Sequence, residues 1–156
     1  ASSLVGSEMC IRDRDITTNR LIEIIKEKDL TYSPLSLYFI IDNKLLSDQI
    51  QINELFDILI DQTSLDDEIN NLVIYKKALF NADQSSEGDL LNLLNPLINS
   101  KSVWKSHALY LMAEYFYAKE QNQKAKEFFN QIIGLENPNP DIRLQAEKRL
   151  NRDLSE

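Results

Sequence analysis

From Asp15 almost to the end of the chain, apolar residues recur at spacings of three and four, and only 3 glycines and 4 prolines are present in 156 residues. That spacing gathers apolar side chains on one face of a helix, whose period is close to 3.6 residues. A β protein with many turns needs glycine wherever φ is positive, and this chain has too few to supply it. Long helices with short connections are therefore expected. Hydrophobic residues make up 43% and charged residues 27%, a balance that suits a folded chain rather than a disordered one. At this length one domain or a short repeat array buries most of its apolar surface.

Cap and stop signals divide the helical pattern. A first helix is expected over roughly 16–28, with Leu21, Ile22 and Ile25 on one face. Ser33 and Pro34 pair an N-cap with a first-turn proline, whose missing N–H costs nothing there, and the helix they open carries Leu35, Tyr38, Phe39, Ile41 and Leu45. The next begins near Ser47 and Asp48, with Ile52, Leu55, Phe56, Leu59 and Ile60. Ser64 to Asp67 has the form of a capping box before Ile69, Leu72, Val73, Tyr75, Leu79, Phe80 and Ala82. Ser86 to Asp89 opens a leucine-rich helix that Pro96 is expected to kink or end. Ser102 caps a sixth helix from Trp104 to about Lys119. A seventh runs from about Asn122 to Ile133, where Gly134 suits the left-handed position after a helix. Asn139 and Pro140 repeat the cap-plus-proline device before Ile142, Leu144, Ala146 and Leu150. First-of-pair helices then start near 33, 64 and 102 and second-of-pair helices near 48, 86 and 122, offsets of 31 to 38 residues. That is the period of stacked helical hairpins, each with an apolar face it cannot bury alone.

The net charge is −8, and residues 42–89, with 11 acids against 3 bases, carry all of it. Such a surface repels phosphate backbones, so nucleic-acid binding is not expected. The acids keep the surface solvated, or they select a basic partner segment; both readings stay open. Cys10 is the only cysteine and cannot form an internal disulfide. No apolar run approaches the ~20 residues that cross a bilayer, so no membrane insertion by this segment is expected.

Residues 1–14, ASSLVGSEMCIRDR, differ in character from the rest of the chain and carry no helical stripe. The run from Gly6 to Arg14 resembles translated sequencing-adapter sequence. Residues 1–14 are therefore expected to be a non-native or disordered leader, and 15–156 the helical repeat domain of a longer protein.

Within 105–138, Leu109, the pair Met112 and Ala113, Phe116, Ala125, Phe129 and Pro138 recur in a recognisable order. Small Ala113 and Ala125 let two helices approach while Phe116 and Phe129 fill the space beside them. This stretch resembles one tetratricopeptide repeat, with Pro138 one place late, Glu120 where the turn glycine usually stands, and Ile132 in place of a small residue. A longer resemblance covers roughly 30–150. The segments SLDDEINNLVIYKKALF, NPLINSKSVWKSHALYLMAEYFYAKEQNQKAKEFF and NPDIRLQAEKRL resemble the tetratricopeptide-like domain of the ancillary Sec translocon subunit family, alphaproteobacterial type. Pro96-Leu97, Trp104-Lys105 and the run from Arg143 to Leu150 stand in that family's places. The resemblance implies an all-α, tetratricopeptide-like α-solenoid of about three hairpins plus terminal helices. It also implies a domain exposed to the periplasm behind one membrane helix, with the translocon and periplasmic chaperones as partners.

In the register of that repeat the concave groove is lined by His107, Tyr110, Glu114 and Tyr117, at spacings of three and four and hence on one helix face. Tyrosines off the core stripe suit peptide capture. The other reading is that a closing helix covers them and they belong to the core. Trp104 is expected to anchor packing between repeats. His107 is the only histidine, with no cysteine or second histidine to complete a metal site, no glycine-rich phosphate loop and no nucleophile elbow. Asp61, Asp66, Asp67 and Glu68 lack the oxygen alternation of a calcium loop and suit a helix N-terminus. No catalysis, cofactor or metal is expected. The function expected is protein–protein interaction in Sec-dependent secretion or chaperone hand-over. The alternatives are a cytoplasmic or envelope assembly scaffold making homotypic contacts, possible homo-oligomer included, and a helical-repeat enzyme using His107.

Overall fold

A computed structural model describes residues 2–155, with side chains from Cys10 onward. The described residues are all-α: α1 Ser2–Lys26, α2 Tyr32–Asp42, α3 Gln49–Gln62, α4 Asp67–Asn81, α5 Glu87–Ile98, α6 Lys105–Ala118, α7 Asn122–Ile133, α8 Pro140–Lys148, then a π turn over Arg149–Asp153. None of these helices is long and apolar enough to cross a membrane. The chain divides into two compact units, Ala1–Asp66 and Asp67–Glu156.

In the first unit α1 packs on α2, and α3 packs on both. The core is Ile22, Ile25, Leu37, Ile40, Ile52, Leu55, Phe56 and Leu59. Asp48 caps α3, its carboxylate accepting from the backbone N–H of Ile50 and Gln51. Three expectations are corrected here. Helix α1 begins at Ser2 rather than near 16, since residues 2–14 hold no proline to break a helix extended backwards from Asp15. Ser33 does not cap α2: Asp29 does, accepting from Thr31 N at 2.8 Å and Tyr32 N at 2.7 Å, while the buried Ser33 hydroxyl donates to Ile24 O at 2.7 Å. The buried face of α2 is Leu37 and Ile40 with Ser33 and Ser36, whereas Leu35 and Phe39 stand 55% and 51% exposed. The small serines allow α2 to approach α1 closely, and a helix apolar nearly all round gives periodicity no face to choose.

In the second unit each helix packs on the next, and α6 also packs on α4 and on α8. So α4, α6 and α8 form one layer, joined through α5 and α7. The helices α2, α4, α6 and α8 start at Tyr32, Asp67, Lys105 and Pro140, successive offsets of 35 to 38 residues. Polar contacts between successive members of each layer recur at nearly the same interval: Glu68 with Ser102, Glu87 with Lys124, Ser106 with Asn139 and Glu114 with Arg149 lie 33 to 37 residues apart. Ser86 caps α5 and Asn139 caps α8 with Pro140 at its first turn.

Other details differ from the expectations above. The helix after Ser64 starts later, at Asp67, and Glu68 is drawn away to the loop before α6, accepting from Ser102 Oγ at 2.9 Å and Val103 N at 3.3 Å. Ile69 and Leu79 are exposed, Val73, Ile74 and Ala78 being the buried face of α4. Helix α5 passes through the exposed Pro96 to Ile98, the proline falling in its last turn. Gly134 has φ −77°, so it is not left-handed. The left-handed positions after helices are instead Lys28, Lys44 and Glu120, at φ 59°, 50° and 59°. A side chain there costs about 1–2 kcal/mol relative to glycine. Helix α8 stops at Lys148; Leu144 is exposed, and Leu154, outside the expected stripe, is buried.

Candidate functional site

The residues given a packing role lie together between α6 and α7, the most extensive helix pair in the chain. Leu109, Met112, Ala113, Phe116, Ala125 and Phe129 are all buried, the last at 0% exposure. Phe116 stacks on Phe128 with ring centroids 5.5 Å apart, and Lys124 lies 5.0 Å over the Phe116 ring while pairing with Glu87 at 2.9 Å. Trp104 is half-buried rather than part of this core. Its backbone N–H donates to Ser102 Oγ at 3.1 Å, and its ring stacks with Tyr75 of α4 at 6.0 Å.

The four positions assigned to a groove are all half-buried, and the structure divides them into two groups. His107 belongs with Trp104 and Tyr75, its ring 4.9 Å and 5.6 Å from theirs. Its Nδ1 is buried and makes no hydrogen bond, and burial pushes its pKa below the usual 6.5. A histidine held neutral when folded contributes stability above its unfolded pKa, and loses it as pH falls from 6.5 toward the lower folded value. The urea midpoint of the wild-type chain should therefore fall between pH 7.5 and 5.5 by more than that of His107→Phe. Equal slopes for the two proteins would mean that protonation costs nothing at this site.

Tyr110, Glu114 and Tyr117 gather around a cation that the sequence pattern did not single out. Asn139 N donates to Ser106 Oγ at 3.0 Å, which sets the start of α8 beside the first turn of α6. The two helices then run in the same direction, and about ten residues of helix, ~15 Å, bring Arg149 level with Glu114. The Arg149 guanidinium grips Glu114 with two hydrogen bonds, Nε to Oε1 at 2.9 Å and Nη2 to Oε2 at 2.8 Å. Its Cζ lies over the Tyr117 ring, 4.7 Å from the centroid, and Nη1 donates to Asp153 at 2.9 Å. Tyr110 meets Phe129 edge-on at 5.6 Å, and burial followed by the Glu114 charge raises its pKa. Arg152 and Arg149 hold the Asp153 carboxyl well below the usual range by hydrogen bonding. The result is a guanidinium seat, with a carboxylate fork, an aromatic face and a phenol.

Glu114 also forms part of the wall of an open cleft of about 300 Å³ toward the end of α4, shared with Asp83, Leu111 and Tyr115. Among the described residues no three side chains of histidine, cysteine, aspartate or glutamate are grouped to hold a metal ion. One signal in the sequence pointed to the missed residue: Arg149 lies 35 positions after Glu114, one repeat period on. Comparison with protein-family models, with curated proteins and with solved structures gives no match.

Proposed function

We propose that this chain is a non-catalytic protein-interaction domain that holds a segment of a partner against the α6 face. The observation that carries the reading is the placement of Tyr110, Glu114 and Tyr117. They share one helix face off the core stripe, half-buried, with recognition chemistry for a cationic side chain and an open cleft beside them. The recurrence of polar contacts between successive hairpins at one repeat period supports a tetratricopeptide-like α-solenoid. The resemblance of the 64–80, 95–129 and 139–150 segments to the ancillary Sec translocon subunit family supports the setting. This would be the periplasmic domain of an inner-membrane-anchored protein that helps pass secreted chains from translocon to chaperones.

The test is photo-crosslinking in alphaproteobacterial cells from benzoyl-phenylalanine placed at Asp83 and at Lys119, two exposed residues on the rim of the cleft. Crosslinks to translocon subunits or periplasmic chaperones are expected. Crosslinks confined to cytoplasmic proteins would sink the secretion setting, and none at all would sink the interaction reading.

A second reading, homotypic assembly, is favoured by one observation. Tyr32, Leu35 and Phe39 form a stripe on α2 that is 66%, 55% and 51% exposed. Apolar contiguity of that kind marks surfaces that bind. Concentration-dependent sedimentation of the wild type, abolished in Leu35→Glu, would favour a second copy of the chain as the occupant of that face.

A further inference from the structure

Resting on the interaction reading, we infer that the partner segment recognised by the α6 face bears an arginine, and that Arg149 is a built-in occupant which that arginine replaces on Glu114. The chain's own side chain is the template. Glu114 presents both carboxylate oxygens to two guanidinium nitrogens, a bidentate geometry that lysine cannot satisfy. Tyr117 offers its ring face to the same planar group, and the half-buried Tyr110 lies on the same helix face, one turn before Glu114. These three residues recognise guanidinium, not positive charge alone.

Two features make Arg149 exchangeable. Its guanidinium is divided between Glu114 and Asp153, so leaving Glu114 still keeps it paired with a carboxylate. An incoming guanidinium would in turn neutralise Glu114, and the swap strands no charge. Access comes from the cleft side, where Glu114 is part of the wall and Asp83 adds a second carboxylate toward an approaching base. The side chains of Arg149 and Glu114 remain 26% and 29% exposed, so the pair opens without unpacking the core. Arg149 begins the π turn, a rare geometry that often accompanies functional positions. The acidic balance of residues 42–89 favours basic segments over acidic ones as well.

The experiment titrates an acetylated Ala-Arg-Ala tripeptide amide into the wild type and into Arg149→Ala, following the ring resonances of Tyr110 and Tyr117 by NMR. Matched peptides carry lysine or citrulline in place of arginine. Arg149→Ala should bind the arginine peptide at least tenfold more tightly than the wild type, and should prefer it to both analogues. Adding Glu114→Gln to that variant should abolish binding. Arg149→Gln, which keeps an amide for Asp153, gives the same comparison should the alanine variant lose helicity. Equal affinity of wild type and folded variant, no binding to the folded variant, or equal affinity for arginine and lysine would each overturn the inference. Tripeptide binding without cellular crosslinks would leave the guanidinium seat standing and remove the interaction reading. Crosslinks without tripeptide binding would do the reverse.

Discussion

Replacing Phe129 with alanine should destabilise the unit Asp67–Glu156 by about 3–5 kcal/mol, the cost of removing a fully buried ring from a core that collapses only in part. Phe129 has no exposed surface, and it sits on α7 at the junction with α6, where the chain's helices pack most extensively. The cavity would open where small Ala113 and Ala125 already bring the two helix backbones close, leaving little slack for neighbours to move in. The same ring supports Tyr110 edge-on at 5.6 Å, so its loss also loosens one wall of the guanidinium seat. Against a total of roughly 5–15 kcal/mol for an ordinary domain, that loss leaves a variant near its folding limit. Urea unfolding followed by far-ultraviolet circular dichroism measures it. A loss under about 1 kcal/mol would mean that α6 and α7 do not meet at Phe129.

The second large effect concerns Glu114 and Arg149. Removing either side chain should cost about 1–2 kcal/mol, above the usual worth of an exposed ion pair because the contact is bidentate, partly buried and backed by a ring. Arg149→Ala leaves Glu114 with no cation at its fork, whereas Glu114→Ala leaves Arg149 its bond to Asp153 at 2.9 Å. The arginine variant should therefore be the less stable of the two. Thermal unfolding of both variants, with the wild type alongside, checks the order.

Much of the architecture was legible because local chemistry and packing agree. Asp48, Ser86 and Asn139 cap helices where a short polar side chain precedes an apolar stripe, and the hairpin period shows in the helix starts. The all-α expectation holds throughout the described residues. What failed to show in the sequence has physical causes. Helix α2 is apolar on nearly every face, so spacing could not say that Leu37 faces inward and Leu35 outward. The left-handed ends at Lys28, Lys44 and Glu120 carry no glycine to announce them, while Gly134 announced one that is absent. Ser33 looked like a cap but lies within the helix, because the helix starts earlier, where Asp29 accepts from the backbone N–H of Thr31 and Tyr32.

The site was half legible. Spacing placed His107, Tyr110, Glu114 and Tyr117 on one helix face, and the structure keeps them there. Their separation into two groups depends on what other helices bring: Tyr75 to His107, and Arg149 to the remaining three. Both partners lie about one repeat away, and a single-helix pattern carries no information at that range.

Arg149 seated against Glu114 across one repeat interval is the central contact, and a double-mutant cycle measures it most directly. Glu114→Gln, Arg149→Ala and the double variant would be unfolded in urea beside the wild type. A coupling energy of about 1 kcal/mol or more is the predicted result, since each side chain is the other's main partner. Coupling within about 0.3 kcal/mol of zero would contradict the contact, and with it the guanidinium seat on which the binding proposal stands.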